Sequence, residues 1–191
     1  MDEFDGVLVM LSAAGGRIPG RTTIQKLGYF STIPDAIRAH YRPHYYGPYS
    51  ADIAGAIQAL ASYGFIEERV ETPAAPGSAA TPDWKRYTYS LTDDGEKLVR
   101  RLEEEHPSEA REIEEIVSIC RDTANLDSKV LSWAAKVHYI QTQEKRNMPY
   151  DEIQEIARIL NWDLTEDQIE KGVGLLKNLH FPRSGELHAH A

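Results

Sequence analysis

The sequence predicts a mainly α fold with a small β-hairpin: a winged helix-turn-helix followed by an all-helical C-terminal unit. Three observations lead there. Two amphipathic stretches within residues 20–60 flank a turn dense in Tyr, His, Gly and Pro. Two β-prone segments, FIEERVE and WKRYTYSL, flank a run rich in Pro, Gly and Ala. Three more helical stripes follow residue 128.

In chain order, Phe4, Val7, Leu8 and Leu11 share one helical face, and Gly15-Gly16 ends that helix. Thr22 or Thr23 suits the cap of a second helix, with Ile24, Leu27 and Phe30 or Ser31 inward. Asp35 to His40 has room for a short helical turn, while Pro43 and Gly47-Pro48 forbid one continuous helix. Ser50 caps the third helix, Asp52 sits in its first turn where the dipole favours an acid, and Ile53, Ile57, Leu60 and Ala61 mark its buried face. Two helices across such a corner form the core of a helix-turn-helix.

The segment TPAAPGSAATPD (72–83) carries too many breakers for helix or sheet. The strands on either side of it form a hairpin, the wing, with Tyr87, Tyr89 and Leu91 on one side and Arg86, Thr88 and Ser90 on the other. Thr92 caps the next helix, with Leu98 and Leu102 inward. A long helix over about 108–121 buries Ile113, Ile116, Val117 and Cys120 and presents Glu109, Glu112, Glu114 and Glu115 to water. Stripes over 128–145 and 151–160 predict two helices, and Thr165 with Gln168 forms the capping box of a last one. The expected organisation is a winged helix-turn-helix domain at 1–106, an acidic connecting helix at 107–127, a three-helix unit at 128–182 and a disordered tail at 183–191.

Composition narrows the class. No apolar run approaches the roughly 20 residues of a membrane span. Acids and a glycine interrupt the first residues, unlike a signal peptide, and a single Cys suits a reducing compartment, so a cytoplasmic location is expected. Net charge is −9, unevenly placed: residues 1–91 hold 8 Lys/Arg against 9 Asp/Glu, and the remainder 13 against 21. The front half can present a local basic face to phosphate; the back half repels it.

Several side chains are candidates for function. Phosphate contact is served by Arg17, Arg21, Lys26, Arg38, Arg42, Arg69, Lys85 and Arg86; the alternative is solvated charges in salt bridges. Tyr49, Ser50 and Gln58 complete a candidate DNA-binding set with Arg17, Arg21, Lys26, Arg42, Lys85 and Arg86. The outward face of the third helix (Ala51, Asp52, Gly55, Ala56, Gln58, Ala59 and Ser62) holds no cation, which is poor equipment for reading base edges. Its small residues Ala51, Gly55, Ala59 and Ser62 suit close approach of a partner or of the second unit, or else form a bland exposed side. The corner of Tyr41, Tyr45, Tyr46 and Tyr49 with His40 and His44 can bond phosphates or a peptide, though capping of the core is the favoured reading. No metal site, cofactor or catalytic motif is expected: His40 and His44 lack a third ligand, and Cys120 lies on an apolar stripe.

GRTTIQKLGYF, YYGPYS and a helix ending in LASYGFI together resemble the YwgA-type winged-helix proteins and, more distantly, the Panacea (SocA-like antitoxin) domain. YTYSLTDDG (87–95) is similar to the junction in winged helices where the last wing strand feeds a helix. The resemblance covers roughly the first half of the chain; Arg21 with Gln25-Lys26-Leu27, and Tyr46-Gly47-Pro48-Tyr49-Ser50, are its most specific pieces. LSWAAKVHYI and ILNWDLTEDQI look like the helical extension of archaeal predicted regulators. The resemblance implies a transcriptional regulator that binds double-stranded DNA; the acidic back half is expected to form a homodimer or bind a protein partner through the C-terminal helices. The alternative is an adaptor or antitoxin-like interaction module that has lost DNA.

Overall fold

The computed structural model describes residues 1–72 and 85–181. Its elements are α1 (Glu3–Ala13), β1 (Arg17–Pro19), α2 (Arg21–Thr32), α3 (Ala51–Ser62), β2 (Ile66–Glu71), β3 (Arg86–Leu91), α4 (Asp93–Glu105), α5 (Pro107–Ala124), α6 (Ser128–Glu144), α7 (Tyr150–Ile159) and α8 (Glu166–Asn178). The described residues are mainly helical, with one small antiparallel sheet in the order β1-β3-β2. Residues 73–84 and 182–191 lie outside the described residues; they take in the expected tail at 183–191 and all of the expected loop at 72–83 except its first residue.

Asp2 caps α1, its carboxylate accepting from the Phe4 and Asp5 amides at 3.0 Å. Gly15 and Gly16 then turn the chain at φ 88° and 82°. Neither Thr22 nor Thr23 caps α2. Gly20 occupies the N-cap at φ 87° with no side-chain cap, and its amide donates to the Tyr87 carbonyl at 2.8 Å. That bond holds the chain to the sheet one residue before Arg21, so the helix starts ahead of both threonines. The short helical turn expected at 35–40 does not form; Asp35 takes a left-handed φ of 60°, which ends helical continuity.

Ser50 caps α3 through its Oγ, which accepts from the Ile53 amide. The buried face of α3 is broader than the sequence stripe: Ala56, expected outward, is buried beside Ile53, Ile57 and Leu60.

β2 and β3 pair antiparallel from Ile66 opposite Leu91 to Glu71 opposite Arg86, as the hairpin expectation requires. β1 pairs the other edge of β3 and was not foreseen: three residues ending in Pro carry too little periodicity to read, and an edge strand tolerates Pro. With β3 central, Thr88 and Tyr89 are both buried, so the expected outward face of Arg86, Thr88 and Ser90 is exposed only at Arg86.

Thr92 caps α4, accepting from the Gly95 amide and donating to the Gly64 and Phe65 carbonyls. A Cβ at Gly95 would lie 2.1 Å from the Phe65 carbonyl oxygen, which accounts for the glycine in the Leu-Thr-x-x-Gly junction. The capping box at Thr165 and Gln168 opens α8 as expected. Leu131, Ala134, Ala135, Leu175 and Leu179 of the C-terminal helices join the same buried cluster as Val7, Leu8 and Leu11 of α1. A second cluster, with Val137, Ile140, Ile153, Trp162 and Ile169, fills the space among α6, α7 and α8. No helix among the described residues is long and apolar enough to cross a membrane.

Candidate functional site

Consecutive residues of α2 fasten the corner that precedes α3. The Gln25 side chain accepts from the Ser50 amide at 2.9 Å and donates to the Ser50 carbonyl at 2.8 Å. Lys26 Nζ donates to the Pro48 carbonyl at 2.6 Å. Arg42 and Tyr49 exchange backbone bonds at 3.0 and 2.9 Å, closing the loop upon itself. Gly47 sits at φ 97° between the stems of Lys26 and Lys136, where a Cβ would meet Lys136 Cγ at 3.0 Å. From the far side, Trp162 Nε1 donates to the His44 carbonyl at 2.7 Å.

Arg21, first residue of α2, is fastened to the sheet. Its Nε donates to the Tyr89 hydroxyl at 2.8 Å, one terminal nitrogen lies 3.2 Å from Glu68, and the guanidinium stands 3.8 Å from the Tyr87 ring centroid. The Tyr89 hydroxyl in turn donates to Glu68 at 2.6 Å. Burial and then the bond to Glu68 push the Tyr89 phenol above its ordinary range.

Between these two arrangements lies a cleft of about 540 Å³. Gly20, Arg21, Thr22, Gln25 and Lys26 of the α2 start form one wall; His44, Tyr46, Gly47 and Tyr49 form the second; Lys85, Arg86 and Tyr87 form the third. The N-terminal amides of α2 open here without a side-chain cap, a feature that favours negative charge.

The cleft brings together five of the nine candidate DNA-binding residues: Arg21, Lys26, Tyr49, Lys85 and Arg86. Two expectations need correction. Lys26 is 2% exposed, its amine is on a backbone carbonyl, and burial, aided by neighbouring Lys136, brings its pKa down to about 7. It is therefore no contact for a duplex lying on the protein surface, although it lines the cleft. Ser50 is fully buried, with backbone and hydroxyl used internally, so it contacts no DNA either. Arg17, Arg42 and Gln58 are exposed but do not line the cleft. Arg69 pairs with Glu71 at 3.2 Å.

Ala51, Gly55 and Ser62 are exposed and Ala59 is half-buried; a Cβ at Gly55 would meet nothing within 4 Å. The chain's own C-terminal helices therefore do not cover that stripe at Gly55. The core-capping reading of the aromatic corner holds for Tyr41, whose hydroxyl donates to the Gln25 carbonyl at 3.1 Å. It fails for Tyr45, Tyr46 and Tyr49, which are exposed. Gly47 and Pro48 between them are buried and held to α2 through Lys26, while the Tyr45 and Tyr46 rings meet edge-on outside and Tyr49 lies against His44. His40 bonds Asp52 at 3.2 Å, and among the described residues no group of His, Cys, Asp and Glu is placed to hold a metal ion. Cys120 is buried and its thiol is pushed up to about 12 by that burial.

Sequence reasoning missed Tyr87, Lys136 and Trp162. Tyr87 had a legible signal, an aromatic ring on the strand that must pass the start of α2. Trp162 and Lys136 lie more than 80 residues from the corner they support, and no local pattern records such a contact.

No protein-family model matches the chain. It is similar to the uncharacterized protein YwgA of Bacillus subtilis, with 26% identity over 166 residues that span 80% of this chain and 95% of the relative. The likeness thus extends well past the first half, to which the sequence motifs had confined it, and the relative is bacterial.

Proposed function

We propose that this protein is a winged helix-turn-helix regulator that holds double-stranded DNA by its phosphate backbone, at the rim of the cleft. The element order α1-β1-α2-α3-β2-β3 and the sheet order β1-β3-β2 support the winged reading, with α3 in the recognition position and the β2-β3 pair as the wing. One observation carries the DNA reading: the uncapped start of α2, Arg21, Lys85 and Arg86 converge beside the exposed ring of Tyr49. Helix N-termini, basic side chains and Tyr hydroxyls are the usual donors to phosphate. Binding held this way is only weakly selective in sequence, because the exposed face of α3 offers a single long polar arm, Gln58.

The reading is tested by fluorescence anisotropy on two unrelated duplexes. Lys85→Ala and Arg21→Ala should each weaken both duplexes alike, by about tenfold, whereas Gln58→Ala changes neither by more than about twofold. A large, sequence-dependent loss in Gln58→Ala would replace backbone binding with base readout.

A second reading is a winged-helix interaction module without DNA. It is favoured by the open small-residue stripe at Gly55 together with exposed Glu67, Glu68 and Glu71 on β2, which repel phosphate. It expects no duplex retention at physiological salt, and self-association or a protein complex that Gly55→Trp abolishes.

A further inference from the structure

The inner end of the cleft contains a feature that backbone binding does not use. Lys26 is 2% exposed and its amine donates to the Pro48 carbonyl; among the described residues it has no other hydrogen-bond partner and no carboxylate within ion-pair range. A buried amine without an acid is expensive to keep charged unless an anion reaches it. Lys136 flanks Gly47, as Lys26 does, and adds positive potential to that end of the cleft. At the mouth, Lys85 is exposed and has no ion-pair partner among the described residues. The lining also includes three phenol rings, those of Tyr46, Tyr49 and Tyr87. Its volume of about 540 Å³ lies within the range of pockets that enclose a small organic molecule.

We propose that this cleft is a binding site for a small aromatic phosphate of nucleoside-monophosphate size, its phosphate met by Arg21, Lys26 and Lys85 and its ring laid against the exposed ring of Tyr46. Several cations call for more than a single negative charge, which selects phosphate over carboxylate. The aromatic walls select a flat ring over a bare ion. The inference goes beyond the DNA reading and stands without it.

The test is isothermal titration of the full chain with adenosine 5′-monophosphate, adenosine and inorganic phosphate, in the absence of DNA. The monophosphate should bind saturably with Kd of about 0.1 mM, at least tenfold tighter than either fragment. Lys26→Met and Tyr46→Ala should each weaken it about tenfold; Tyr46 is exposed, so that variant keeps the test alive should Lys26→Met fail to fold. The proposal is overturned if none of the four common ribonucleoside monophosphates binds saturably below about 10 mM. It is equally overturned if phosphate alone binds as tightly as the monophosphate, or if Tyr46→Ala leaves affinity untouched. Duplex retention without monophosphate binding defeats this inference alone, and monophosphate binding without duplex retention defeats only the DNA reading.

Discussion

Trp162 Nε1 donates to the His44 carbonyl at 2.7 Å across 118 residues of chain. The connection between α7 and α8 thereby braces the corner that forms one wall of the cleft. Lys136 of α6 lies 5.7 Å from the same indole ring centroid, so the C-terminal helices touch the site twice.

Trp162→Phe keeps most of the ring packing and removes the donor. The His44 carbonyl then loses its partner, at a cost of about 1–2 kcal/mol. Urea unfolding should show that loss, with Cm lowered and m unchanged. Unaltered stability would mean the corner does not need its brace.

Gln25 satisfies both backbone groups of Ser50 from a buried position. Gln25→Leu fills similar space and leaves an amide and a carbonyl unpartnered, a destabilisation of about 3 kcal/mol by denaturant unfolding. A loss below about 1 kcal/mol would show that water replaces the side chain there.

Lys26 has an ordinary pKa of 10.5 and a folded value of about 7, lowered by burial and by Lys136. Lys136 itself is lowered by burial and partly restored by Asp163. Between those two pH values the unfolded chain binds the proton that the folded chain refuses. Stability therefore rises with pH from about 7 to 10.5 and is flat, for this group, below 7. Lys26→Met should remove that slope and be as stable as the parent, or more so, at neutral pH. An unchanged pH profile would show that the amine is already neutralised by other means.

Glu68 draws Arg21 toward the sheet. Glu68→Gln removes the acid, and duplex affinity should rise about threefold at low salt, with the gain shrinking as salt screens it. A fall in affinity would make Glu68 a positioning partner that Arg21 needs.

Gly55→Ala meets open space on a helix. It should stabilise the chain by about 0.5–1 kcal/mol in thermal unfolding. Destabilisation would mean the stripe is already covered in solution.

The helices were legible because their apolar residues recur at helical spacing, and the hairpin because two β-prone runs flank a breaker-rich segment. β1 was not legible, since three residues show no period. The two motif pieces singled out at Gln25-Lys26-Leu27 and Tyr46 to Ser50 prove to bond each other. Their chemistry was misread, because Lys26 is charged by type and the sequence does not show that Pro48 and Gly47 close over it. Ser50 caps α3 as its residue type and position imply, and the same burial that makes it a good cap removes it from the surface.

The central claim is backbone-phosphate binding at the cleft rim, and a mobility-shift titration with generic duplex DNA at two salt concentrations tests it most directly. About four phosphate contacts predict retention at ~50 mM salt that weakens roughly 100-fold by ~200 mM. No retention at the lower salt, or an affinity indifferent to salt, would contradict it.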